Sequence, residues 1–385
     1  MDSVVKTDPS SITIEIVYRG IFQKTLAQRI CRSIVLAARK RGHTGTAFGR
    51  YGDSPERNGV PAKYFAIVAV NDEELEVSMA RYEPSVVDIA VAVDDTLVKG
   101  VESWAWYGRQ PIWKPVHAGG AVLVTSEKTP DAVLAQTDAA TRPYLMGIVP
   151  GNASFAGLWV FKDDHTDYRV LGALAKVAPD WVRIDDVTAL IREQTKDESA
   201  VASAREGYEQ TAFRQVAIGE GTSGHEVLQF EKPGWTAMRP GVIVDARKPG
   251  ERNPYYKKYG ARTLRPVVNF DTCIKCTMCW LDCPDECFEV TAEGHYEVVY
   301  ESCIGCGICA AVCPVKDCIV MVDEMKFTDN KDVWTLWKSD HDGYNTWFED
   351  MAGVPADPKG VAARAADALV GTPTVTHDAA SGGDD

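Results

Sequence analysis

Ten of the chain's 11 cysteines crowd between Cys273 and Cys318, leaving Cys31 alone near the start. Two runs share one spacing: Cys273, Cys276, Cys279 and Cys283 before Pro284, and Cys303, Cys306, Cys309 and Cys313 before Pro314. Both read C-x₂-C-x₂-C-x₃-C-P. Spacings this short let three thiolates wrap three corners of an iron–sulfur cubane from one tight loop, with backbone N–H groups turned in towards the sulfides. The fourth cysteine opens a helix and points away, so it serves the other cluster. The proline then takes the first helical turn, where a missing N–H costs nothing. Two 4Fe–4S clusters are therefore expected, one held by Cys273, Cys276, Cys279 and Cys313, the other by Cys303, Cys306, Cys309 and Cys283. Structural zinc is the rival, but zinc pairs C-x₂-C knuckles into tetrahedral sets of four, which two runs closed by Cys-Pro do not fit.

The pattern is that of bacterial two-cluster ferredoxins. Between the runs, Glu289–Thr291 and Tyr296–Tyr300 around Gly294 read as a short hairpin, completing their pseudo-twofold layout. Cys287 and Cys318 follow each Cys-Pro by a few residues and are expected to pack as small hydrophobes; a ligand role is the lesser alternative. Asp317 looks like an inserted residue before Cys318. Cys31 falls mid-helix and reads as core.

Stepping out to the chain that must carry these runs, 385 residues allow two or three domains. A composition 45% hydrophobic and 25% charged is that of an ordinary globular protein. The net charge of −14 repels phosphate backbones, so nucleic acid is not expected as a partner. No apolar stretch approaches the length of a membrane-spanning helix, and the first residues lack the basic start and apolar run of a secretory signal. A cytoplasmic location with no membrane partner is expected, where clustered cysteines mean metal rather than disulfides.

Residues 12–18 alternate as a strand, Arg19-Gly20 read as a turn, and 24–41 as a helix with Leu26, Ile30, Ile34 and Ala37/Ala38 on one face and Gly42 at its end. Further strands are expected at 64–70, 89–93 and 121–125, with helices near 74–80, 131–139, 168–176 and 186–192. The fold class is α/β: a mainly parallel sheet with helices on both faces, then a linker, a two-cluster ferredoxin-like α+β domain and an extended tail. The domains run 11–215, 216–265, 266–325 and 326–385.

This order of parts resembles the 2-oxoacid:ferredoxin oxidoreductases (pyruvate, oxalate and phenylglyoxylate types), with γ and δ subunits fused in one chain. The δ likeness lies in the cysteine runs and in their entry, Met238-Arg-Pro-Gly241 and Thr263-Leu-Arg-Pro266. The γ likeness lies in Tyr51-Gly52-Asp53-Ser54-Pro55-Glu56-Arg57-Asn58-Gly59, in the stretch from Val87 to Leu97, and in Leu171-Gly172-Ala173. The resemblance implies that Tyr51, Gly52 and Arg57 belong to a coenzyme A loop. The family's glycine-rich first turn is here Arg19-Gly20-Ile21-Phe22-Gln23, and Asp167 stands where the family usually has asparagine; both changes argue against a bound phosphate.

No G-D-G…N signature for thiamine diphosphate and magnesium is present, nor a G-x-G-x-x-G. The resemblance thus puts the thiamine chemistry on partner α and β subunits and makes this chain an electron-transfer subunit, passing electrons to ferredoxin or a similar acceptor. The alternative is a wiring and scaffold subunit touching neither coenzyme A nor substrate, including a coenzyme A-independent, oxalate-type enzyme. The aromatic loop of Trp104, Trp106, Tyr107 and Trp113 reads as a partner contact or as a loop folded on its own domain. The basic run from Arg239 to Arg265 reads as a docking site for an acidic ferredoxin or as a linker lying on partner subunits. Residues 330–355 are too aromatic to stay unpacked, whereas an Ala/Gly/Thr/Asp-rich stretch beyond Asp357 reads as flexible.

Overall fold

The computed structural model describes residues 10–50, 61–79, 83–102, 109–151, 165–222 and 262–356. Two compact units divide the chain. One holds the residues up to Leu264 with Glu301–Cys306 and Asp323–Asn330; the other holds Arg265–Tyr300, Gly307–Val322 and the residues from Lys331 onward.

The first unit is built on a seven-stranded sheet. Its strands are β1 (Ser11–Arg19), β2 (Thr44–Arg50), β3 (Pro61–Ala69), β4 (Val87–Ala92), β7 (Val116–Thr125), β8 (Tyr144–Val149) and β9 (Ala212–Val216), with a small separate ribbon of β5 (Val101–Glu102) and β6 (Arg109–Gln110). The order is β2-β3-β1-β4-β7-β8-β9. The central pairs β1–β4, β4–β7 and β7–β8 are parallel, while β2–β3, β3–β1 and β8–β9 are antiparallel. Only β3 and β9 therefore run against the rest, and the sheet is mainly parallel. The central strands are buried along their length, as parallel strands covered on both faces are; β4 has no exposed residue.

Helix α1 (Gly20–Arg39) packs on β1, β2 and β3 through Ala27, Ile30, Ile34, Ala37 and Ala38, all buried with Cys31. Short helices α2 (Asp72–Ser78) and α3 (Pro130–Leu134) lie against β1–β3 and β8–β9. Helices α4 (Thr166–Val177), α5 (Ile184–Thr195) and α6 (Glu198–Gln210) pack on one another, and α4 and α5 also on α1. The α4–α6 crossing is close enough that a Cβ on Gly172 would come within 1.8 Å of the Ala204 carbonyl oxygen, and one on Gly207 within 1.9 Å of that of Arg169.

Arg19-Gly20 is not a turn. Strand β1 runs straight into α1, with Arg19 as the cap residue and Gly20 the first helical residue, so the helix starts six residues before Leu26, where the apolar stripe that betrays it begins. Edge strand β2 (Thr-Gly-Thr-Ala-Phe-Gly-Arg) shows no clear alternation, since its threonines, glycines and alanine give little hydropathy contrast. Residues 216–222 pack back on the sheet unit, Thr222 N donating to Thr137 O at 2.7 Å and Ala140 N to Glu220 O at 2.8 Å.

The second unit is built on β10 (Leu264–Val268) paired with β13 (Ile319–Asp323), and on the hairpin of β11 (Phe288–Val290) and β12 (Tyr296–Val298) in register Phe288↔Val298. Single-turn helices α7 (Met278–Leu281) and α8 (Ile308–Val312) follow the two cysteine loops. The aromatic tail forms α9 (Val333–Ser339) and α10 (His341–Ala352) and completes this unit rather than leaving it. Trp334 packs edge-on to Phe270 with centroids 5.0 Å apart, Trp337 stacks on Trp334, and Tyr344 and Phe348 are fully buried. The Tyr344 hydroxyl donates to Val268 O and accepts from Phe270 N.

Candidate cluster site

In the second unit Cys273, Cys276, Cys279 and Cys313 line one cavity, with Val268, Ile274, Thr277, Tyr296, Val315, Cys318 and Ile319 making the rest of its wall. This is the set that the crossed-ligand rule predicts for one cluster, three residues of one run and the last of the other. The non-atom space inside it is about 370 Å³ including its open mouth. Among the described residues, no group of three or more His, Cys, Asp or Glu side chains has the arrangement to hold a single metal ion. The four thiols surround a shared space, an arrangement that suits a cubane.

The loop backbone is wound for the purpose. Lys275 and Thr277 are left-handed at φ 59° and 73°, and their counterparts in the second run, Gly305 and Gly307, at 67° and 80°. Left-handed residues in a tight loop turn successive N–H groups towards one side, a concavity that favours anions. In the second run Gly305 N–H donates to Cys303 Sγ at 3.3 Å.

The thiols divide by environment. A hydrogen bond from Cys318 brings the Cys273 thiol down to about 7, against the opposing effect of burial and with help from Lys275. Cys313 likewise falls to about 7 through Cys318. Cys283 falls to about 6 through Cys287, whose backbone N–H also meets Cys283 Sγ at 3.2 Å. Burial pushes Cys279 up to about 12. Four cysteine thiols converging on one cavity make a donor set that fits a 4Fe–4S cluster.

Cys287 and Cys318 are buried, and each touches the Cys-Pro cysteine of its own run. The residue before each is left-handed, Glu286 at φ 49° and Asp317 at φ 58°. The extra residue of the second run is thus absorbed ahead of Asp317, leaving Cys318 in the place of Cys287.

In the first unit, Arg262 is 1% exposed and Glu324 2%. Arg262 Nε and Nη2 donate to Glu324 Oε2 and Oε1 at 3.0 and 3.1 Å, and its Nη1 donates to Cys303 O at 3.0 Å. Lys99 Nζ stands 3.4 Å from Glu324 Oε1. Sequence reasoning missed this network and placed Arg262 and Arg265 in a basic run that either docks a ferredoxin or lies along partner subunits. Both are buried, and Arg265 lies over the Tyr300 ring at 4.4 Å. Nothing in the local sequence separates a buried arginine from a solvated one in a basic run.

At the other end of β1, the Gln23 side chain accepts the Arg19 N–H at 2.6 Å and donates to Asp94 Oδ2 at 3.2 Å. Asp94 is 1% exposed and accepts from Thr96 N and Oγ1. Asp167 is buried and paired with Arg29 at 3.3 Å. Tyr51, Gly52 and Arg57 lie outside the described residues, as do Trp104, Trp106, Tyr107 and the linker from 223 to 261. Trp113 is buried, its Nε1 donating to Asp138 O, so this member of the aromatic loop is folded onto its own domain.

Comparison with known proteins gives these observations a family. A model described as "4Fe-4S dicluster domain" matches residues 266–321. Pyruvate synthase subunit PorD of Thermotoga maritima is 39% identical over 94 residues, 24% of this chain and 90% of that protein. The delta subunit of NADH-dependent phenylglyoxylate dehydrogenase from Aromatoleum evansii is 49% identical over 53 residues, 14% of this chain and 56% of that one. The crystal structure of pyruvate oxidoreductase subunit PORC of Thermotoga maritima covers 53% of this chain and 98% of its own, at 20% identity and a TM-score of 0.38, too loose a likeness to argue from. No described helix is long and apolar enough to cross a membrane. Through its cysteine-rich part, the chain belongs to the 2-oxoacid:ferredoxin oxidoreductase family as an iron–sulfur, electron-transfer subunit.

Proposed function

We propose that this chain takes electrons from the oxidation of a 2-oxoacid on partner α and β subunits, where thiamine diphosphate and magnesium reside, and hands them to ferredoxin or a similar acceptor. The observation that carries this is the cavity in which Cys273, Cys276, Cys279 and Cys313 converge from both runs. When bound, a 4Fe–4S cluster supplies one-electron transfer at low potential. The protein's part is to present thiolates, to turn loop N–H groups towards the negative sulfur, and to keep water out with Val268, Tyr296, Val315 and Ile319. Cys303, Cys306, Cys309 and Cys283 hold the second cluster on the same spacing rule. The domain of residues 11–215 is the counterpart of the family's γ subunit, and it caps the active site or, through Tyr51, Gly52 and Arg57, holds coenzyme A.

A coenzyme A-independent version is favoured by one observation. In the turn where the family's glycines stand, the Arg19 N–H is taken by Gln23, and the buried carboxylate of Asp94 lies beside it. That leaves a poor seat for a phosphate. The deciding experiment is dye reduction by the oxygen-free native complex across a panel of 2-oxoacids, with and without coenzyme A. Turnover without coenzyme A is the expected result. An absolute requirement for it returns the Tyr51 loop to a ligand role, and no turnover with any 2-oxoacid removes the proposed reaction.

A further inference from the structure

Arg262 belongs to neither cysteine run, yet its side chain reaches the first cysteine of the second. It is 1% exposed, and its Nη1 donates to the Cys303 carbonyl oxygen at 3.0 Å. Its Nε and Nη2 donate to Glu324 at 3.0 and 3.1 Å, and Nη2 also to Asn330 Oδ1 at 2.8 Å. The guanidinium is a rigid fork in which Nε and Nη2 share one edge and Nη1 stands on the other. Cys303 therefore meets the cation directly, with the carboxylate on the far side. Glu324 is held in turn by Lys99, whose Nζ stands 3.4 Å from Oε1 and donates to Phe327 O at 2.6 Å.

The backbone repeats the contact. A Cβ on Gly305 would stand 2.2 Å from the Leu264 carbonyl oxygen and 3.2 Å from Arg262 Cγ, and Glu324 N donates to Thr263 O at 3.0 Å. Residues 262–264 thus touch the Cys303 loop and the Glu324 segment together, all within the first unit.

We propose that Arg262 is a positioning residue for the cluster on the Cys303 loop, fixing the Cys303 backbone and raising that cluster's reduction potential through its charge. The inference rests on the reading that Cys303, Cys306, Cys309 and Cys283 hold a 4Fe–4S cluster. Reduction adds negative charge to a buried centre, and a nearby cation stabilises that state more than the oxidised one, most strongly where water does not screen it. The negative end of the Cys303 carbonyl works against reduction, and the guanidinium bound to it offsets that effect. Glu324 acts with the opposite sign but from the farther edge, so the nearer cation prevails. Charge and hydrogen bonding around a cluster are among the levers that set its potential. A purely structural clasp would stabilise the fold and leave the potential alone.

The test uses the whole chain in its native complex, with Arg262→Met, Glu324→Gln and the double variant Arg262→Met/Glu324→Met. Iron and sulfide content is read first, then redox titration followed by electron paramagnetic resonance. The signal that Cys306→Ser alters identifies the cluster on the Cys303 loop. Arg262→Met should move that midpoint to more negative potential and leave the other in place. Glu324→Gln keeps the guanidinium on Cys303 without the opposing carboxylate, and should move the same midpoint to more positive potential. In the double variant stability returns, since no charge is stranded, but the midpoint should stay below that of the wild type. Selective loss of that cluster's iron from a stably folded double variant would also support the positioning role. A midpoint that recovers together with stability in the double variant would overturn the proposal, as would one that moves in none of the three. A wild-type complex lacking the iron of two clusters would instead count against the cluster reading beneath it.

Discussion

Lys275 and Thr277 hold left-handed backbone positions that Gly305 and Gly307 hold in the second run, yet the two glycines are not equivalent. A Cβ on Gly305 would stand 2.2 Å from the Leu264 carbonyl oxygen, whereas one on Gly307 meets nothing within 4 Å. Gly307→Ala should therefore cost only the strain of a left-handed alanine, about 1–2 kcal/mol, and keep both clusters. Gly305→Ala must move the loop that carries Cys303 and should lose that loop's cluster. Iron content and the paramagnetic signals of the reduced protein separate the two, and equal behaviour would contradict the account. Arg262 makes the same point through charge. Removing it as Arg262→Met strips the buried Glu324 carboxylate of its paired hydrogen bonds from Arg262, at a cost of about 3–5 kcal/mol. Much of that should return in the double variant Arg262→Met/Glu324→Met, which leaves no carboxylate stranded. Denaturant unfolding of the three proteins measures it.

At the scale of elements, the tail is held to the ferredoxin-like unit by aromatic packing and by one carboxyl pair. Glu297 on β12 is pushed up to about 8, first by burial and then by the proton it shares with Asp332. Asp332 caps α9, accepting from Trp334 N at 2.6 Å, and the bond from Glu297 holds it below its ordinary value against the effect of burial. The folded protein thus keeps a proton on Glu297 that the unfolded chain loses above the ordinary value of 4.5. Its contribution to stability is complete below pH 4.5, declines as pH rises, and is gone once pH passes about 8. The fluorescence of Trp334 and Trp337 should report easier loosening of α9 at pH 9 than at pH 6, and Glu297→Gln should flatten that dependence. A wild-type profile without slope between those values would refute the pairing. Elements differ in how plainly the sequence shows them. Strands buried on both faces, such as β4, are legible as apolar runs, and α1 by its apolar stripe. The edge strand β2 is not, since its residues give little hydropathy contrast, and the start of α1 is hidden because strand and helix join without a turn residue.

Across the whole molecule, legibility follows chemistry. The four thiols that converge on one cavity, Cys273, Cys276, Cys279 and Cys313, are legible from spacing, because three thiolates on one cubane would demand a fixed loop length. The clasp of Lys99, Glu324 and Arg262 joins residues up to 225 positions apart, and no local pattern encodes it. The net charge of −14 sits badly with direct docking of an acidic ferredoxin, and two of the basic residues that might have offset it locally are buried. The most direct test of the central claim is electron paramagnetic resonance of the oxygen-free native complex frozen after addition of its 2-oxoacid alone. The account predicts reduced 4Fe–4S signals on this chain, diminished when Cys276→Ser removes a ligand. A complex that turns over its 2-oxoacid while these signals never appear would contradict it.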